Sequence, residues 1–154
     1  METKTVIVYV STHHGNTKKL LDAIAGQYPV DLVDAVTEKE ADLSGYSRIG
    51  IASGVAFGKY YPQMLSFLEK NLPENKDVFF MHTAGDPRES HVNSAKRIAS
   101  ERSCRCLGVF FCKGFDTFGP FKLVGGLNKH HPDEEEIRDA LRFYRELDQE
   151  ESAQ

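Results

Sequence analysis

Thr5-Val6-Ile7-Val8-Tyr9-Val10 is an unbroken apolar run, and Ser11-Thr12-His13-His14-Gly15-Asn16-Thr17 follows it with only small, polar or imidazole side chains. Lys18-Lys19-Leu20-Leu21-Asp22-Ala23-Ile24-Ala25 comes next, with its apolar residues at helical spacing. The pattern reads as strand, tight polar turn, helix. The first N–H groups of such a helix have no intrahelical partner, and the macrodipole adds partial positive charge there. That turn is therefore a candidate anion site.

Two phosphate-binding loops are excluded by spacing. A triphosphate P-loop needs a second glycine followed by Lys and Ser or Thr, and the dinucleotide fingerprint needs three glycines; only Gly15 is present. What remains is rich in hydroxyls and amides and carries no metal-binding acid. It suits a terminal phosphate monoester held by neutral donors, with Thr12, Asn16 and Thr17 donating and Gly15 letting the backbone close in. The plainer alternative is that Thr12 or Asn16 caps the helix.

The segment Thr12-His13-His14-Gly15-Asn16-Thr17 resembles the Ser/Thr-x-Thr-Gly-x-Thr phosphate loop of flavodoxins. The Gly-Asn-Thr end matches, and His14 stands where the family usually has Thr. The resemblance implies that Ser11, Thr12, His13, His14, Gly15, Asn16 and Thr17 grip the 5′-phosphate of FMN. An imidazole at 13 or 14 would make that grip sensitive to pH near neutrality.

Length and composition agree with one ordinary globular domain over residues 1–154: 40% of residues are hydrophobic and 27% charged. With 23 acids against 19 bases the net charge is −4, which argues against a nucleic-acid partner. No apolar stretch reaches membrane-spanning length, so the expectation is a cytoplasmic protein without membrane insertion. Cys104, Cys106 and Cys112 are odd in number and do not suggest a disulfide framework; they read as reduced thiols on one side of a buried strand. No metal site is expected.

Further along, residues 30–36, 48–53, 77–83 and 104–112 read as strands, the first of them at an edge. Residues 37–47 are polar and too short for a full helix. Helices are expected after Pro62 with Leu65, Leu68 and Leu72 inward, near Ser90 with Val92, Ala95, Ile98 and Ala99 inward, and from a cap at Asp133, with residues 149–154 fraying. Strands alternating with helices imply an α/β fold, a three-layer, doubly wound, five-stranded parallel sheet of order 2-1-3-4-5. Ligands in such sheets sit beyond the carboxyl ends of the strands where the order reverses, here between strands 1 and 3. Topology alone thus converges the loops at 11–17, 53–61 and 83–90.

The second loop holds Phe57, Tyr60 and Tyr61 among Gly54 and Gly58. By the flavodoxin resemblance, Ser53, Gly54, Val55, Ala56, Phe57, Gly58, Lys59 and Tyr60 wrap the flavin ring. Phe57 and Tyr60 either stack on it or pack locally, and Tyr61 packs the next helix. Gly54 or Gly58 supplies the peptide that turns its carbonyl toward the reduced ring. Thr83, Ala84, Gly85 and Asp86 would close the other side, with aromatic residues of 114–121 as a further candidate. The resemblance implies an FMN-binding carrier shuttling electrons between a reductase and an acceptor protein. The alternative is an FMN oxidoreductase acting on a quinone or porphyrinogen-type substrate, with residues 113–132 as a substrate wall. No nucleophile–base constellation is evident, so no catalytic residues are assigned. A receiver domain of the same topology needs acids after strand 1 and an Asp ending strand 3; the chain has Ser11-Thr12 and Ser53 there.

Overall fold

In a computed structural model of the chain, which describes residues 3–11, 15–114 and 130–152, the opening apolar run forms strand β1 (Thr5–Val10). It is followed by α1 (Asn16–Gln27), β2 (Val30–Asp34), β3 (Arg48–Ala56), β4 (Lys59–Tyr60) and α2 (Pro62–Asn71). Then come β5 (Asp77–Ala84), a 3-10 turn (Glu89–Val92), α3 (Asn93–Glu101), β6 (Arg105–Lys113) and α4 (Glu134–Ser152).

Five strands pair in parallel in the order β2-β1-β3-β5-β6, the 2-1-3-4-5 order expected. The sixth, β4, is a two-residue antiparallel return against the end of β3, in a segment whose sequence reads as loop. Strands β1, β3 and β5 are buried on both faces over most of their length, which is why their apolar residues run on rather than alternate. One face packs Val6, Val8, Ile49, Ile51 and Phe80 against Met64, Leu68 and Ala95 of α2 and α3. The other packs Ile7, Ala52, Phe79 and Met81 against Leu20, Ile24, Ala140 and Tyr144 of α1 and α4.

Several local expectations change. The segment near Ser90 opens with the 3-10 turn, and no side chain caps α3. Helix α4 runs to Ser152 and begins with the reciprocal Asp133–Glu136 cap. Cys104, Cys106 and Cys112 do not share a face. Strand β6 carries one extra residue where Val78-Phe79 meets Cys106 and Gly108, and this bulge reverses the alternation. Cys104 therefore packs toward α2 and α3, Cys112 is buried toward α1 and α4, and Cys106 is exposed.

At the amino end of β3 the guanidinium of Arg48 is 1% exposed. It donates to Thr5 Oγ1 (3.0 Å), Tyr144 Oη (3.0 Å) and Asp148 Oδ1 (2.9 Å), pinning α4 to the sheet at the end opposite the convergent loops. Among the described residues no helix is long and apolar enough to cross a membrane.

Candidate functional site

Register places the carboxyl ends of the central strands level with one another: Val10 beside Ser53, Gly54 beside Thr83, Ala84 beside Lys113. Among the described residues, Ser11, the β3–β4 hairpin, Gly85 and Gly114 follow those strand ends.

The first βα turn ends on Gly15 at φ 64°, a left-handed conformation suited to glycine, immediately before α1. Ser11 Oγ reaches across the turn to accept the Lys18 N–H at 3.0 Å, so its lone pair serves the helix. Among the described residues no acid lies in the first turn of α1. Asn16 and Thr17 are buried, and the Thr17 and Thr83 hydroxyls stand 3.0 Å apart, joining the first turn to the third. Thr12, His13 and His14 lie outside the described residues. So does most of the 113–132 connection, from 115 to 129.

The second loop is tighter than expected. Val55 pairs with Tyr60 and Ala56 with Lys59, leaving Phe57-Gly58 as a two-residue hairpin turn with φ 55° and 77°. Both angles are positive, the arrangement that matches the twist of a hairpin. Gly58 adopts it freely; Phe57 does so at a cost of about 1 kcal/mol, with its ring entirely exposed. Ser53 and Gly54 belong to the strand and are buried. Ser53 Oγ accepts the Tyr61 N–H (3.1 Å) and donates to the Gly54 carbonyl (2.7 Å). A Cβ on Gly54 would meet the Tyr61 ring at 2.8 Å. With its carbonyl held this way, Gly54 is a poor hinge, and of the two glycines only Gly58 sits on an open turn. Tyr60 is 1% exposed and points into the core, so its ring is not a stacking surface; hairpin pairing turns it under the loop. Tyr61 packs at the start of α2 as expected.

In the third loop Thr83 is buried, and Ala84 accepts the Gly114 N–H at 2.9 Å. A Cβ on Gly114 would lie 2.7 Å from Asn16 Nδ2, so this glycine allows the end of β6 to close on α1. Gly85 is half-buried and Asp86 exposed, with Asp86 Oδ2 accepting Arg88 Nε (3.1 Å) and Nη2 (2.9 Å). Beneath the loop His82 is fully buried, and burial drives its pKa down to about 4 against a smaller opposing effect of the hydrogen bond it donates to the Arg88 carbonyl. The imidazole is neutral at pH 7.

The match to known proteins decides the family. The model of the Flavodoxin domain (Flavodoxin_5) matches residues 6–110. The chain belongs to the flavodoxin family. A relative from Methanocaldococcus jannaschii, itself an uncharacterized protein, is 36% identical over 146 residues, covering 94% of this chain and 97% of its own. Among solved structures, a flavodoxin from the domain Archaea superposes with TM-score 0.67 at 16% identity, over 95% of this chain and 97% of that one. A Lactobacillus acidophilus flavoprotein in complex with FMN superposes with TM-score 0.56 at 19% identity, over 71% and 93%. At such identities the superpositions speak for the flavodoxin fold.

Two residues of this flavodoxin's loop cluster escape a sequence reading. His82 reads as an ordinary strand residue, and Gly114 as part of a glycine-rich connection; their roles depend on which strands neighbour them. At the start of α4, His131, Asp133 and Glu136 bring one donor atom each within 4.8 Å of one another. The two acids there already serve the α4 cap, and Glu136 Oε2 also accepts the Lys113 N–H at 3.0 Å.

Proposed function

We propose that this chain binds FMN and carries electrons between redox proteins, a reductase on one side and an acceptor on the other. Phe57 is the observation that carries the reading. A large aromatic ring held in a left-handed turn and left wholly in water is costly on two counts, and both are repaid if the ring lies on a flat cofactor.

The other residues suit the same ligand. Gly15 brings the backbone close to the phosphate, the amino end of α1 aims its dipole there, and Thr12, His13, His14, Asn16 and Thr17 supply donors without an acid to repel it. The single glycine of this turn favours a monophosphate over a dinucleotide. Phe57, Gly58 and Lys59 cover one side of the ring, while Ala84, Gly85 and Asp86 close the other. Bound FMN supplies stepwise one-electron chemistry, and the chain's part is to hold and shield it. The FMN held by the Lactobacillus flavoprotein of the same fold supports this choice.

A carrier is separated from an enzyme by turnover. The FMN-loaded chain should accept electrons from a flavoprotein reductase and pass them to a protein acceptor, with no NADH- or NADPH-driven quinone reduction of its own. Sustained quinone turnover by the isolated chain would replace the carrier with an oxidoreductase.

A further inference from the structure

His82 is buried midway between the hairpin and the third loop and is bonded to both. Its Nε2 lies 2.7 Å from the Arg88 carbonyl, which can only accept, so Nε2 carries the hydrogen. Its Nδ1 lies 3.0 Å from Tyr60 Oη. In a neutral imidazole with Nε2 protonated, Nδ1 is the acceptor, and the Tyr60 hydroxyl donates. Tyr60 is the second residue of β4 and pairs with Val55, while Arg88 opens the 3-10 turn after the third loop. The same Arg88 carbonyl takes the His91 N–H at 3.3 Å, and His91 Nε2 donates to the Asp86 carbonyl at 3.1 Å. Rings fix the imidazole plane. Phe111 stacks on it at 5.3 Å and 8°, with the edges of Tyr60 at 5.3 Å and His91 at 5.7 Å.

We propose that His82 is a positioning residue that sets the width of the slot between the Phe57-Gly58 hairpin and the loop at 85–88, and so controls how tightly a flat ring is clamped. The proposal rests on the flavin reading above and adds to it a residue that touches no part of the cofactor. A core histidine that served packing alone would need neither of its two directional bonds to end on a site loop. Here one ends on each, and the tautomer is determined throughout. Hairpin and third loop are thus tied to one buried imidazole. The hinge left between them and the ring is the Phe57-Gly58 turn.

The test compares wild type, Y60F and the double variant Y60F/H82F in the full chain, titrated with FMN and with riboflavin. Y60F removes one oxygen. The double variant replaces both partners by apolar rings of similar shape and leaves the Arg88 carbonyl its bond from His91, so its unfolding midpoint should stay near wild type. The expected result is a dissociation constant raised about fivefold or more in the double variant, the loss attached to one buried hydrogen bond. FMN and riboflavin should weaken by the same factor, because the phosphate grip is untouched, and the potential of the first one-electron step should shift. Wild-type affinities and potential in a folded double variant would overturn the link, as would a loss confined to FMN. If the wild-type chain binds neither compound, the flavin reading falls and the positioning role falls with it.

Discussion

The Thr17 and Thr83 hydroxyls lie 3.0 Å apart, 1% and 2% exposed, and they tie the first turn of α1 to the end of β5. In that pairing one hydroxyl donates to the other, so the bond spans from the first turn to the third. Thr17 therefore braces the first βα turn against β5.

T83V keeps the shape of the side chain and leaves a buried hydroxyl without its partner. It should lower stability to urea by about 1–2 kcal/mol. Adding T17V should recover part of that loss, giving a coupling of about 1 kcal/mol in the double-mutant cycle. Strictly additive losses would mean that the two hydroxyls do not bond.

Phe57 sets local stability against binding. F57N places an Asn-Gly pair in a turn that favours it, and the variant should be more stable by about 0.5–1 kcal/mol. Its FMN affinity should fall about tenfold for loss of a stacking ring. Thermal unfolding and flavin titration on one preparation check both halves, and a variant that binds as tightly as wild type removes Phe57 from the site.

His82 makes stability depend on pH in a defined window. Its folded pKa of about 4 lies below the unfolded value near 6.5, chiefly because burial disfavours the cation. Between those values the unfolded chain binds the extra proton, so stability is full above about pH 6.5 and is lost as pH falls toward about 4. The loss attributable to this group is at most about 3 kcal/mol. Urea midpoints measured from pH 4 to 7 should slope less in Y60F/H82F than in wild type; parallel slopes would contradict the assignment.

Charge around the site bears on potential. Arg88 is paired with Asp86, both well exposed, and Glu136 stands beside Lys113, accepting its N–H, while Lys59 is exposed on the hairpin. With FMN bound as proposed, the Lys59 ammonium would favour the anionic, fully reduced flavin and raise the potential of the second one-electron step. K59E should lower that potential by a few tens of mV, while D86N/R88Q should leave it nearly unchanged. Spectroelectrochemical titration reads both.

How far sequence carries such a chain depends on what each signal measures. Strand order followed from alternation and length, because strands buried on both faces are apolar throughout and few connections are sterically sensible. The break between β1 and α1 was legible too, because a run of small and polar residues ends the apolar strand before helical spacing begins. Pairing geometry was not. Whether Tyr60 faces ligand or core depends on a two-residue strand closing on Val55, and Phe57-Gly58 does not have the Asn-Gly composition that announces such a turn. The bulge that parts Cys104 from Cys112 is likewise a property of the β5–β6 ladder, where a simple count of two per residue pair fails. His82 acquires its role only when β4 and the third loop have come to rest on either side of it.

The most direct measurement is an equilibrium titration of the ligand-free chain with FMN, followed by absorbance and flavin fluorescence, with riboflavin in parallel. The account predicts one FMN per chain with a dissociation constant below about 1 μM, and riboflavin weaker by at least about tenfold for want of the phosphate. A chain that leaves FMN fluorescence and absorbance unchanged at a hundredfold excess, or that prefers riboflavin, would contradict it.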